Sequence, residues 1–441
     1  MFLLTIFKMK NSKLASIITM GFALFAMFFG AGNLILPPYI GLNVGTNWPL
    51  AILGFVITGI VAPFLGLLAV TKNGFTFSDL GKRTHPVLVL ILATIIMLSI
   101  GPLVAIPRTA ATTFEMALKP IFPEMNAIVG AVLFFTVILL LTISPSKIVD
   151  IIGKYLTPVL VVLLLLLVVL GIVNPVSSAQ EIAISAQESF QLGFDQGYQT
   201  MDVLASVVFA GIIISAAVEK GYTTAKQRVH MVILSGIVAV SCLFIIYGGL
   251  IYLGATSGYA VGEDVSRTEL LLNISQNILG SYGTIAVSVA IALACLTTAI
   301  ALTAAFASFT EKLTKGKVSY KVSIVLCTLV SMFFAVKGVD EIIAYAGALL
   351  NFVYPITFAL VLLILFFGGK VKQRAPYVVA MVVVSILSLI SLLISFEVSF
   401  PLLTKMHSQM PLVEHNLEWM LPTFVVFILV ALFTKSKNIV E

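Results

Sequence analysis

Of 441 residues, 60% are hydrophobic and only 10% charged, far from the roughly 25% charged residues of soluble domains, so most of the chain must face lipid or other apolar helices. The net charge of +6 comes from short basic clusters between apolar runs, with no basic face interleaved with aromatics, which argues against nucleic acid as a partner. Cys242, Cys295 and Cys327 lie in apolar runs without metal-type spacing, and His85, His230, His407 and His415 lie in or beside connecting segments, so no metal centre is expected.

A membrane-spanning helix needs about 20 apolar residues, and twelve such segments follow one another at 15–41, 48–71, 87–107, 127–144, 155–173, 198–217, 229–254, 281–310, 319–336, 341–367, 377–396 and 418–434. The opening "MFLLTIFK" is too short for a signal segment with a cleavage site, and Met9 is a second possible start. With the N-terminus inside, 20 of the 25 Lys and Arg fall in inner segments; Arg108, Lys119, Arg267, Lys337 and Lys405 fall outside. Both termini are therefore expected in the cytoplasm, with the chain in the cell membrane. Two longer outer segments, 174–197 and 255–280, follow the fifth and seventh spans, and the leucines of "AVGEDVSRTELLLNISQNILG" suit a short amphipathic helix, an exposed polar loop being the alternative.

The first span contains "FFGAGNLILPPYIG", residues 28 to 41, with glycines, an asparagine and a Pro-Pro pair inside an apolar run. Irregular backbone survives in a membrane only where it is buried in protein or lines a cavity. A break at Gly30-Ala31-Gly32 leaves a second half-helix starting near Asn33, whose free N–H groups and positive dipole end suit an anion, while the carbonyls ending the first half suit a cation. The same small residues also suit close packing of two helices.

In the sixth span, Ala205, Ser206, Ala210 and Gly211 surround Phe209 and mark a second candidate break. Spans 1 and 6 start on opposite sides, as five-plus-five inverted repeats require. In the eighth span, Ala294, Thr297 and Thr298 share one helical turn, so a carbonyl and hydroxyls can meet at one point as hard ligands for an alkali cation; such hydroxyls also commonly bond back to their own helix. No His or paired acid sits within the spans to support an enzyme, and the scattered Ser and Thr do not make a channel lining. A non-transporting amino acid sensor is the remaining alternative class.

The motifs "GFALFAMFFGAGNLILPP", "IGPLVAIPRTAATTFE", "DVLASVVFAGIII" and "LACLTTAIALT", in this order of spans from Lys10 onward, resemble the branched-chain amino acid:cation symporter family, the bacterial system II carriers for leucine, isoleucine and valine. That family is similar to the amino acid, polyamine and organocation transporters. The resemblance implies an all-α polytopic fold of twelve transmembrane helices, a five-plus-five inverted repeat of the leucine-transporter type with spans 1 and 6 broken, and two peripheral C-terminal spans. The chain then divides into a cytoplasmic N-terminus (1–14), first repeat (15–173), outer loop (174–197), second repeat (198–367), spans 11 and 12 (368–434) and cytoplasmic tail (435–441).

The implied function is symport of branched-chain amino acids with one cation, sodium or alternatively a proton, by alternating access; amino acid exchange is the other option on this fold. No cofactor and no obligatory protein partner are implied beyond the amino acid and membrane lipid. By the resemblance, sodium would sit between the Ala26 and Phe29 carbonyls, the Ala294 carbonyl and the Thr297 and Thr298 hydroxyls. A second sodium site that some relatives build around an asparagine meets Met27 here and is expected to be absent. The substrate carboxylate would meet N–H groups of Ala31 and Gly32, next to Gly30, and of Asn33. Its ammonium would face carbonyls at Phe28 and near Val207 to Phe209. Arg108, read as ending the third span, and Asp202, at the outer end of the sixth, are the candidate outer gate, with Glu115 as another partner for Arg108; a snorkelling Arg108 and an interfacial cap at Asp202 are the alternatives. Asp340 and Glu341, entering the tenth span, are expected as interfacial caps or outer-gate residues. No carboxylate is expected deep in any span.

Overall fold

A computed structural model describes residues 13–143, 152–259, 265–396, 405, 407–413 and 417–434. The start at Met9, the basic residues Lys8, Lys10, Lys147, Lys435 and Lys437, His415 and the cytoplasmic tail lie outside the described residues. Within them the chain is helical. Eight helical stretches are long and apolar enough to cross a membrane, and four shorter apolar helices accompany them.

The first apolar run divides into α1 (Lys13–Phe28) and α2 (Ala31–Val44), with Phe29 and Gly30 outside both. Next come α3 (Trp48–Val56) and α4 (Ala62–Asn73), joined by a π-helical turn at Ile57–Val61. The third run comprises α5 (Pro86–Leu98), α6 (Ala105–Thr113) and π-helical turns at Ser99–Leu103 and Phe114–Leu118. It bends at Gly101, whose backbone is non-helical (φ −85°, ψ −119°) just before Pro102. The fourth and fifth runs are α7 (Ala127–Thr142) and α8 (Thr157–Val173).

Two departures from the sequence reading matter. The segment expected to be an outer loop carries α9 (Ala186–Tyr198), opened by a capping box in which Ser185 and Glu188 satisfy each other's backbone N–H. Then α10 (Asp202–Glu219) runs without interruption through Ala205, Ser206, Ala210 and Gly211. The chain leaves the helix instead at Gln199 to Met201, where Met201 takes a left-handed conformation (φ 65°) uncommon for a residue with a side chain. The small residues of α10 pack rather than break: a methyl on Gly66 of α4 would lie 2.2 Å from Ser206 Oγ.

The remaining helices are α11 (Ala225–Ala255), α12 (Arg267–Leu279), α13 (Ser281–Leu313), α14 (Tyr320–Ala335), α15 (Val339–Phe367), α16 (Arg374–Ser395) and α17 (Met420–Phe433). α12 is the amphipathic helix expected from the leucine spacing, N-capped by Ser266 and burying Leu270, Leu271 and Ile274. α16 and α17 pack on each other and on α15. The broken pair α1–α2 lies against α8, α10, α11 and α13, so the gap at Phe29–Gly30 is enclosed by protein.

Glycines set the closest crossings. A methyl on Gly41 would fall 1.8 Å from the Ile251 carbonyl oxygen, and one on Gly254 would fall 1.9 Å from that of Pro38, so α2 and α11 touch backbone to backbone. Gly54 and Gly193 do the same between α3 and α9, where Thr58 Oγ1 also donates to the Phe194 carbonyl (2.7 Å). This second crossing fastens α9 to the bundle.

Candidate functional site

Gly30 takes an extended conformation (φ −101°, ψ −167°), which ends the helical ladder before Ala31. Among the described residues, the N–H groups of Ala31, Gly32 and Asn33 make no backbone hydrogen bond; they are the free donors that every helix N-terminus leaves. Glycine at 30 permits α13 to approach, since a methyl there would lie 3.2 Å from Thr298 Oγ1.

On the other side of the gap, Thr297 Oγ1 stands 3.1 Å from the Ala26 carbonyl and 3.0 Å from that of Ala294. Thr298 Oγ1 stands 3.2 Å from the Ala26 carbonyl and 3.3 Å from that of Met27. The two hydroxyls thus reach across from α13 to α1 rather than only back along their own helix. Four of the five oxygens expected around a cation converge; the Phe29 carbonyl enters none of these contacts, and the Met27 carbonyl does. Hard oxygen donors of this kind suit a small, non-transition cation.

A cavity of about 30 Å³, room for about two waters, borders this cluster, lined by Phe28, Gly30, Ala31, Asn33 and Thr298 from the expected set. Gly32 stands behind it against Arg108. Val207 and Phe209 are buried within the continuous α10, so their carbonyls belong to its hydrogen-bond ladder and are not freed by a break. Phe209 instead meets the Phe28 ring at 5.7 Å. The irregular segment that does reach the cavity is Thr200–Met201, followed by Asp202 and Ala205. Sequence reading missed it because Gln199-Thr200-Met201 contains neither glycine nor proline; the strained Met201 appears only in the folded backbone.

Asp202 and Arg108 are also relocated. Asp202 is 3% exposed, lines the cavity and accepts a hydrogen bond from Asn33 Nδ2 at 2.6 Å; the same Nδ2 donates to Tyr247 Oη at 2.5 Å. A carboxylate therefore does sit inside the bundle, because the helix starts at Asp202 from an internal bend and not from the membrane edge. Arg108 does not end its run, which continues to Leu118; it is 7% exposed and lines the same cavity. Glu115 is engaged elsewhere, accepting from Val339 N–H at 2.9 Å at the start of α15. Glu341 pairs with Lys337 (2.9 Å) on an exposed surface, as an interfacial residue would.

An interrupted helix whose free ends face a small cavity of mixed polar and apolar lining, inside an all-helical bundle, is an architecture suited to a polytopic membrane protein of the transporter type. Solved structures agree on the fold. The nucleobase-cation-symport-1 family transporter MHP1, closed with bromovinylhydantoin bound, superposes with a TM-score of 0.59 at 14% identity, covering 96% of this chain and 94% of that one. MhsT in complex with L-phenylalanine gives 0.56 at 15%, covering 94% and 98%. A Na⁺-coupled sialic acid symporter gives 0.60 at 13%, covering 96% and 91%.

Residues 13–437 match the family described as "Branched-chain amino acid transport protein". The branched-chain amino acid permease BraB of Bacillus subtilis (strain 168) is 36% identical over 417 residues, covering 92% of this chain and 93% of its own. BrnQ, a branched-chain amino acid permease of the same organism, is 34% identical over 420 residues, covering 94% and 95%. The chain belongs to the branched-chain amino acid transport protein family, and is a transport protein, not an enzyme.

Proposed function

We propose that the protein imports leucine, isoleucine and valine across the plasma membrane by symport with one sodium ion. Family membership supports the substrate class. The observation that carries the coupling is the meeting of the Ala26 and Ala294 carbonyls with the Thr297 and Thr298 hydroxyls beside the interruption of the first helix. Thr298 also lines the cavity, so an ion there and an amino acid in the cavity share a wall. Ion binding then prepays part of the ordering of the substrate site, which couples the two.

In this reading α1–α2 and α9–α10 are the broken first and sixth of twelve spans, related as inverted repeats of the leucine-transporter type, with both termini cytoplasmic. The cavity is too small for an amino acid in the present conformation. Alternating access requires it to open toward one face at a time, by movement of the helices around it.

Uptake of labelled leucine into proteoliposomes, with and without an inward sodium gradient, tests the proposal. Sodium-dependent accumulation that unlabelled isoleucine and valine suppress is expected; one methylene in an apolar pocket discriminates by only about 1–3 kcal/mol. Preference for a charged or hydroxylated amino acid would defeat it. A second reading, proton coupling, is favoured by the buried Asp202 on the cavity wall. Accumulation driven by a pH gradient and indifferent to sodium would establish that reading instead.

A further inference from the structure

We propose that Arg108 is the ligand for the substrate carboxylate, closing on it from α6 while the free N–H groups opening α2 meet it from the other side. The inference rests on the amino acid transport reading above and replaces a gating role for this residue.

The guanidinium lies against the first turn of α2: a methyl on Gly32 would sit 2.7 Å from Arg108 Nη2. It lines the cavity, is more than nine-tenths buried, and its Nε has no hydrogen-bond partner. Among the described residues its side chain makes no hydrogen bond and no ion pair within 4 Å. Asp202 on the facing wall is committed to Asn33. The end of α2 that Arg108 faces already carries roughly half a positive charge and unpaired N–H groups.

A buried cation placed beside a helix N-terminus is doubly unfavourable unless an anion joins them, and Asp202, held by Asn33, acts on Arg108 only from beyond ion-pair distance. The planar fork of a guanidinium matches a carboxylate with two parallel hydrogen bonds. Both observations point to the same transient anion, and a zwitterionic amino acid supplies one. Its ammonium end is then left for the wall that carries Asp202.

The test compares wild-type, Arg108→Gln and Arg108→Lys proteins in proteoliposomes, measuring competition with labelled leucine by unlabelled leucine and by leucinamide, which keeps the ammonium and side chain but has no carboxylate. Arg108→Gln is expected to weaken leucine about 10- to 100-fold, the range for lost charged hydrogen bonds, and to leave leucinamide nearly unchanged. Arg108→Lys, a point charge without the fork, is expected to lie between. Equal losses for leucine and leucinamide, or unchanged leucine affinity, would overturn the assignment.

If Arg108→Gln does not fold, Gly32→Ala takes its place, since its methyl displaces the flexible end of Arg108 without touching backbone; the same selective loss is expected, and an unselective one would overturn the assignment. A wild-type protein that takes up no leucine would instead overturn the functional reading on which this assignment rests.

Discussion

Thr298 touches both halves of the proposed mechanism, reaching the Ala26 and Met27 carbonyls and lining the cavity. Thr298→Val keeps the shape and removes one oxygen. We expect it to raise the sodium concentration for half-maximal leucine uptake by roughly tenfold, the equivalent of about 1.4 kcal/mol, with less effect on leucine affinity at saturating sodium. Unchanged sodium dependence in folded Thr297→Val and Thr298→Val proteins would move the ion elsewhere. These residues were legible because two hydroxyls and a carbonyl within one helical turn are a local pattern. What they face was not legible in that local pattern, and the Ala26 carbonyl was expected there only through the family resemblance, because the partners lie some 270 residues apart, |i−j| being 271 and 272.

Between elements, the glycines of the first run divide their work. Gly30 and Gly32 sit where α13 and Arg108 come near, while the packing role that small residues also suggest is carried by Gly41 against Ile251 and by Gly254 against Pro38. A methyl at Gly41 would collide with backbone that cannot swing aside, so α2 and α11 must separate. Gly41→Ala should therefore destabilise the folded protein by roughly 1–3 kcal/mol or more, seen as a lower unfolding temperature in detergent. If instead Gly41→Ala unfolds at the wild-type temperature, the two backbones are not in contact. The interruption before α10 teaches the opposite lesson. Small residues at Ala205 to Gly211 pointed to a break, yet a helix continues through them. Alanine and serine bury a helix face as readily as they interrupt it, and only the neighbouring α4 decides which.

At the scale of the whole molecule, one sodium entering with a zwitterion moves one net charge inward. At 100 mV inside negative that contributes about 2.3 kcal/mol, and a tenfold sodium gradient adds about 1.4, enough together for accumulation on the order of 500-fold. We expect a membrane potential alone, with equal sodium on both sides, to drive leucine into proteoliposomes. Exchange of one amino acid for another that ignores potential would show an antiporter. Asp202, buried on the cavity wall, makes the sodium control essential, because a proton carried there would also be electrogenic; replacing sodium by choline at constant pH separates the two ions.

What the amino-acid order determined by itself was the membrane environment, the positions of the apolar helices and the sites of the first interruption and the threonine pair. Each follows from local chemistry: runs of apolar residues have nowhere else to go, and Gly-Ala-Gly weakens a helix wherever it occurs. The tertiary structure alone decided that a separate helix, Ala186–Tyr198, precedes the sixth apolar run, that the bend between the two lies at Met201 in residues with no breaker signal, and that Asp202 and Arg108 face one cavity rather than the outer surface. A charged residue near the end of an apolar run looks interfacial in sequence. Whether it is depends on how far neighbouring helices extend past it, and that is set by packing between segments distant in the chain.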